Sequence, residues 1–274
     1  MSELAAWLPL LRNEAPLIVS MPHTGTEMPP SIESQFRSGW LAQKDADWWI
    51  ERLYDFAYEL GATVIRTTVC RTVIDVNRDP SGRSLYPGQN TTELCPTTTF
   101  DGEALYAEGR QPDATEIAAR RQSFFDPYHQ TLQAEIARLL LRHRKIVLYE
   151  AHSIRSRIPR LFKGELPHVN IGTNSGASCN SALTRAIAAL IAESQFTHVT
   201  NGRFKGGYTT RHYGNPDEGV HAIQLELAMR GYLDEPVSPS AANWPAPYDP
   251  SRALALRRVL RRILETCLEF ASQP

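Results

Sequence analysis

Several stretches of the sequence place polar, reactive side chains within or directly after apolar runs, where a polar group is costly unless it is bonded or used. The run LIVSM ends at Met21-Pro22 and delivers His23 onto the glycine-containing turn HTGTE. A neutral imidazole there suits a divalent metal, or else a hydrogen bond to a turn carbonyl. In KIVLYEAHS the two-residue period puts Glu150 and His152 on one face of a strand or its extension. Two strand-end histidines with one carboxylate would make the three-ligand set of a catalytic zinc, which keeps a further position open. A buried His152 bonded to a neighbouring loop is the alternative. In AIQLELAMR a single acid, Glu226, stands between Leu225 and Leu227. Buried, its carboxyl would titrate high enough to serve as a general base; on an edge strand it would face solvent or an arginine. The segment CRTVIDVNRD carries Arg71, Asp75, Asn77 and Arg78. A guanidinium beside an amide can hold a carboxylate, or close an internal Arg–Asp pair. In GRFKGGYTTRHYG, Lys205 and Arg211 flank Gly206-Gly207, offering charge to an anionic substrate or decorating a solvated hairpin.

Other chemistries lack their residues. No GxGxxG follows a strand, and neither GxxxxGK[ST] nor GxSxG occurs. Lys and Arg number 29 against 30 Asp and Glu, a net charge of −1, so no basic field favours nucleic acid or an anionic membrane as a partner. Apolar runs such as Ala186–Ala192 fall well short of the roughly 18 to 20 residues of a membrane span. The N-terminal stretch has an acid at Glu3 and lacks the basic start and unbroken apolar core of a secretory leader, so a cytoplasmic protein is expected. Cys70, Cys95, Cys179 and Cys267 form no CxxC pair and are expected as reduced, buried thiols. Nothing in the sequence sets an oligomeric state.

The elements that must position these groups follow from periodicity. With 274 residues, 42% of them apolar, and no repeat or long linker, residues 1–274 read as one domain. Short β-branched runs predict strands at Leu17–Met21, Thr63–Thr68, Val73–Val76, Lys145–Tyr149, His168–Gly172, His198–Thr200 and Ala222–Leu227. Helical patterns cover Lys44–Leu60, Asp113–Arg142 with a break at Pro127, Asn180–Glu193 and Ser251–Phe270. This alternation predicts an α/β sheet with helices on both faces and its chemistry at the carboxyl ends of the strands. Asp79–Asp101, rich in Pro, Ser, Thr and Gly, reads as a long loop able to border a site.

Taken in order, SMPHTGTEMP, DADWW, RTVIDVNRDP, YEAHSIRS, NIGTNSG, GRFKGGYTTRHYG and IQLELAMRGYL resemble the N-formylglutamate amidohydrolase family, over about Pro16 to Leu233. That resemblance implies a zinc-carboxypeptidase-like fold, a central mixed, largely parallel sheet flanked by helices. It implies hydrolysis of N-formyl-L-glutamate, a dicarboxylate, as the last step of a histidine degradation pathway. By motif, His23 and His152 would bind a divalent metal, zinc before others, with Asp47 of DADWW as the carboxylate ligand and Glu27 as the alternative. Glu226 would be the catalytic glutamate. Asn77-Arg78 would grip one substrate carboxylate and Arg71, Lys205 or Arg211 the other. A zinc deacylase or carboxypeptidase for another N-acyl amino acid, and a non-catalytic dicarboxylate-binding module, are the competing readings.

Overall fold

The computed structural model describes residues 6–273, so Glu3, on which the reading of the N-terminus rests, lies outside the described residues. The apolar runs become β1 (Leu10–Leu11), β2 (Leu17–Met21), β3 (Thr63–Arg66), β4 (Ile146–Ile154), β5 (Val169–Gly172), β6 (His198–Thr200) and β7 (Val220–Ala228). They form one seven-stranded sheet in the order β1-β3-β2-β4-β7-β5-β6. The pairs β2–β3, β2–β4, β4–β7 and β5–β6 are parallel, and β1–β3 and β5–β7 are antiparallel, so the expected mixed, largely parallel sheet is present.

Strand alternation sorts side chains onto two cores. Leu17, Val19, Val147, Tyr149, Ile223 and Leu225 pack with helices Ser181–Ala192 and Pro250–Ser272 on one face. Ile18, Ile146, Leu148, Val220 and Ala222 pack on the other with helix Asp126–Leu140, through Tyr128, Leu132, Ile136 and Leu139. On that second face the same alternation continues into polar residues towards the carboxyl ends, with Ser20 on β2, Glu150 and His152 on β4, and Gln224 and Glu226 on β7. No helix among the described residues is long and apolar enough to cross a membrane. All four cysteines are free and buried.

Three expected elements take a different form. Val73–Val76 is buried but is no strand. The Asp75 carboxylate accepts the Asn77 backbone N–H at 2.9 Å and the Arg78 N–H bonds the Asp75 carbonyl at 3.1 Å, so local turns replace a ladder. Of the helix expected over Lys44–Leu60 only Ile50–Leu53 and a 3₁₀ turn at Asp55–Ala57 form, after a separate short helix, Gly39–Gln43, has ended; Trp49, in a left-handed conformation (φ 63°), stands at the start of Ile50–Leu53 and keeps the helix from beginning earlier. At Pro127 the helix does not break. A π-helical stretch, Arg121–Phe125, joins Ala114–Arg120 to Asp126–Leu140, and this widened turn directly ahead of Pro127 lets the helix run on past the proline.

Candidate active site

Strand order reverses between β2 and β4, since the chain leaves β2 for β3 on one side and later enters β4 on the other. Such a switch point opens a crevice at the carboxyl ends of the strands. His23 follows β2 by two residues and His152 lies within β4, and their rings meet there at 4.9 Å between centroids. The turn carrying His23 lies flat against residues 68 and 69, where a β-carbon on Gly25 would come within 2.3 Å of backbone atoms.

The break in the first helical region places Asp47. Its backbone N–H donates to the His23 carbonyl at 2.9 Å, and its Oδ2 lies 2.9 Å from His152 Nδ1 and 3.7 Å from His23 Nδ1. Oδ2 also accepts the Ser153 N–H at 3.2 Å, so the carboxylate is tied to both histidine-bearing segments.

Behind His23 stands Asp75, fully buried. Its Oδ1 lies 2.7 Å from His23 Nε2, and its Oδ2 accepts from Arg71 Nη2 at 2.9 Å and Arg78 Nη2 at 3.0 Å. Against the cost of burial, His23, Arg78 and Arg71 hold its carboxyl well below the usual range. Burial and then the Arg71 charge lower the His23 imidazole from its ordinary value, leaving it neutral near pH 7 despite the two carboxylates. His152 is backed in a similar way. Its Nε2 lies 3.0 Å from Asn77 Nδ2 and 3.6 Å from Glu150 Oε2, and Glu150 itself is held by Ser20 Oγ at 3.0 Å. Burial works against a proton on His152, but Asp47 and Glu150 outweigh it and push the imidazole well up. Negative charge that favours a proton at this point favours a metal cation equally.

His23, Asp47 and His152 each offer one ligand atom within 4.8 Å of the other two. His23 Nδ1 and Asp47 Oδ1 are buried without any hydrogen-bond partner, a costly arrangement unless another group completes it. Two imidazoles and one carboxylate, with carboxylates behind the rings, suit zinc or a related divalent ion with an open coordination position. Glu27 is exposed and accepts the Thr68 hydroxyl at 2.6 Å, apart from this group.

Glu226 sits directly across the β4–β7 ladder from His152 and lines the same cleft. Gln224 Nε2 donates to its Oε2 at 3.0 Å. Burial pushes its carboxyl up to about 7; His152 opposes this rise and Asp47 adds to it. The Asn77 amide is engaged within the protein, its Oδ1 accepting the Thr209 N–H at 2.8 Å while Nδ2 faces His152. Gly207 allows this contact, since a β-carbon there would lie 2.4 Å from Asn77 Nδ2.

The cleft is walled by His23, His152 and Glu226 on the sheet side and by Arg71, Arg78 and Arg203 among its cations. Leu85, Tyr86, Asn90 and Phe100 from the long loop also border it. Arg71 and Arg78 both pair with Asp75, yet Arg78 Nε is buried and unbonded. Lys205 and Arg211 do not reach the cleft wall. Lys205 is exposed, and Arg211 donates to the Gly206 carbonyl at 2.9 Å and stacks on Tyr86. Arg203, two residues before Lys205, lines the cleft instead. Arg203 lies in the same irregular segment as Lys205, and nothing in that segment's sequence tells which of the two side chains turns towards the cleft.

A family model described as N-formylglutamate amidohydrolase matches residues 15–233. The chain is 44% identical over 263 residues to an N-formylglutamate deformylase of Pseudomonas aeruginosa and 40% identical to one of Pseudomonas putida, covering 96% of both chains in each case. Its fold is similar to that of an N-formylglutamate amidohydrolase crystal structure from Ralstonia eutropha, with a TM-score of 0.74 over 97% of this chain and 98% of that one, at 20% identity.

Proposed function

The chain belongs to the N-formylglutamate amidohydrolase family, and on that premise we propose that it hydrolyses N-formyl-L-glutamate to L-glutamate and formate, the last step of a histidine degradation pathway, using a divalent metal held by His23, Asp47 and His152. The observation that carries this reading is the pair of buried atoms without a hydrogen bond, His23 Nδ1 and Asp47 Oδ1, the latter with only the Arg71 guanidinium at 3.5 Å, set beside a carboxyl raised to about 7.

When bound, the metal supplies Lewis acidity, which acidifies water and polarises a carbonyl. The protein's residues do the rest. Glu226, as carboxylate, takes a proton from the attacking water and afterwards gives one to the departing nitrogen, because glutamate must leave as an amine. Arg78, with its free buried Nε, binds the α-carboxylate and fixes the formyl carbon in front of Glu226. Asp75 and Glu150 stand behind the two rings as carboxylate acceptors for the ring N–H on the far side, so that the ligand atoms stay in place through the reaction.

Formate release from N-formyl-L-glutamate, compared with N-formyl-L-leucine and with acetate release from N-acetyl-L-glutamate, tests the assignment. The formyl dicarboxylate is expected to react fastest, by at least about tenfold over each alternative if both the acyl pocket and the cationic wall contribute. Faster release of acetate, or equal rates for leucine, would reassign the substrate.

A further inference from the structure

Arg71 and Arg78 both end on Asp75, whereas the third guanidinium of the cleft has no acidic partner. Arg203 Nε donates to the Leu161 carbonyl at 3.0 Å and Nη2 to the Asn90 carbonyl at 3.1 Å, and among the described residues Nη1 makes no hydrogen bond. The guanidinium lies 5.2 Å from the centroids of both Tyr86 and Phe204. It is thus half-buried and fixed by neutral carbonyls and aromatic faces, with no salt-bridge partner among the described residues. Burial works against that charge, and the neighbouring groups that bear on it are Tyr86, Glu226 and Arg78, which places it at the working part of the cleft.

We propose that Arg203 binds the side-chain carboxylate of the substrate and thereby sets the preference for acidic over neutral N-formyl amino acids. This rests on reading the cleft as a deformylase site. In N-formylglutamate the α-carboxylate is one carbon from the nitrogen that carries the formyl group, and the side-chain carboxylate lies two methylenes farther out. Arg78 is linked through Asp75 to His23, so it serves the nearer carboxylate. Arg203 is anchored instead to Asn90 and Leu161 in two loops, and it serves the farther one. A planar fork already held by two carbonyls loses little freedom on gaining a carboxylate.

The test compares wild type, Arg203→Gln and Arg203→Lys on N-formyl-L-glutamate and on N-formyl-L-glutamine, its isostere with an uncharged side chain. Arg203→Gln should lower kcat/KM for the glutamate substrate by about 10- to 100-fold, chiefly through KM. For the glutamine substrate it should change kcat/KM by less than about threefold, and Arg203→Lys should restore part of the loss. Equal losses on both substrates would make Arg203 a strut between two loops and overturn the proposal. Calorimetric titration of both ligands into Glu226→Gln, with and without Arg203→Gln, decides the subsite independently of turnover. Selective weakening of the acidic ligand upholds it, and unchanged affinity removes it. Failure of wild type to hydrolyse either compound would instead refute the deformylase reading.

Discussion

Glu226→Gln is expected to lower the rate of N-formyl-L-glutamate hydrolysis by about 10²- to 10⁴-fold while leaving bound metal in place. The amide keeps the size of the side chain and can still meet Gln224, but it can neither accept a proton from water nor return one to nitrogen. The pH profile carries the same assignment. Burial, against the pull of His152, raises the Glu226 carboxyl to about 7, so the base form grows as pH rises through that value. The kcat/KM of the wild type should therefore climb through about pH 7, and the residual rate of Glu226→Gln should lack that limb. Near-normal turnover by the variant would take Glu226 out of the mechanism, and a wild-type profile flat from pH 5 to 9 would take away the titration.

The second large effect concerns the metal group. His152→Ala should be purified with little bound metal and with hydrolysis at background, because it leaves only one imidazole and one carboxylate. The loss should exceed the 10- to 100-fold in affinity that follows from disturbing groups behind the ligands. Elemental analysis beside circular dichroism separates this from unfolding, and a folded variant holding a full complement of metal would show that His152 is no ligand. The geometry gives the reason for the size of the effect. Asp47 Oδ2 stands 2.9 Å from His152 Nδ1, so removing the ring takes away one ligand and the partner that steadies another.

Much of this arrangement is legible in the sequence because it lies on strands. A polar residue in an otherwise apolar β-run stands out, and the two-residue period already places Glu150 with His152; the ladder adds Gln224 and Glu226 opposite them. What escaped lies where backbone geometry is set by non-local contacts. DADWW has a helical pattern, but the left-handed Trp49 breaks it, and that break is what places Asp47 between the two histidines. VIDVN has the composition of a strand, yet Asp75 gathers His23, Arg71 and Arg78 and turns the chain around its own carboxylate. The sequence left open whether those arginines serve a ligand or an internal acid. Both pair with the acid, and only Arg78 retains an unbonded buried nitrogen. The charge of Lys205 and Arg211 and their nearness to glycines do not report direction, while Arg203 is placed by carbonyls from two distant loops.

The measurement that bears most directly on the central claim is formate release from N-formyl-L-glutamate by the purified protein before chelation, after chelation, and after zinc is restored. The account predicts rapid release, its loss with the chelator, and its return at about one zinc per chain. Full activity in protein shown by elemental analysis to be metal-free would contradict it, and would leave His23, Asp47 and His152 as a buried hydrogen-bonded cluster rather than a metal centre.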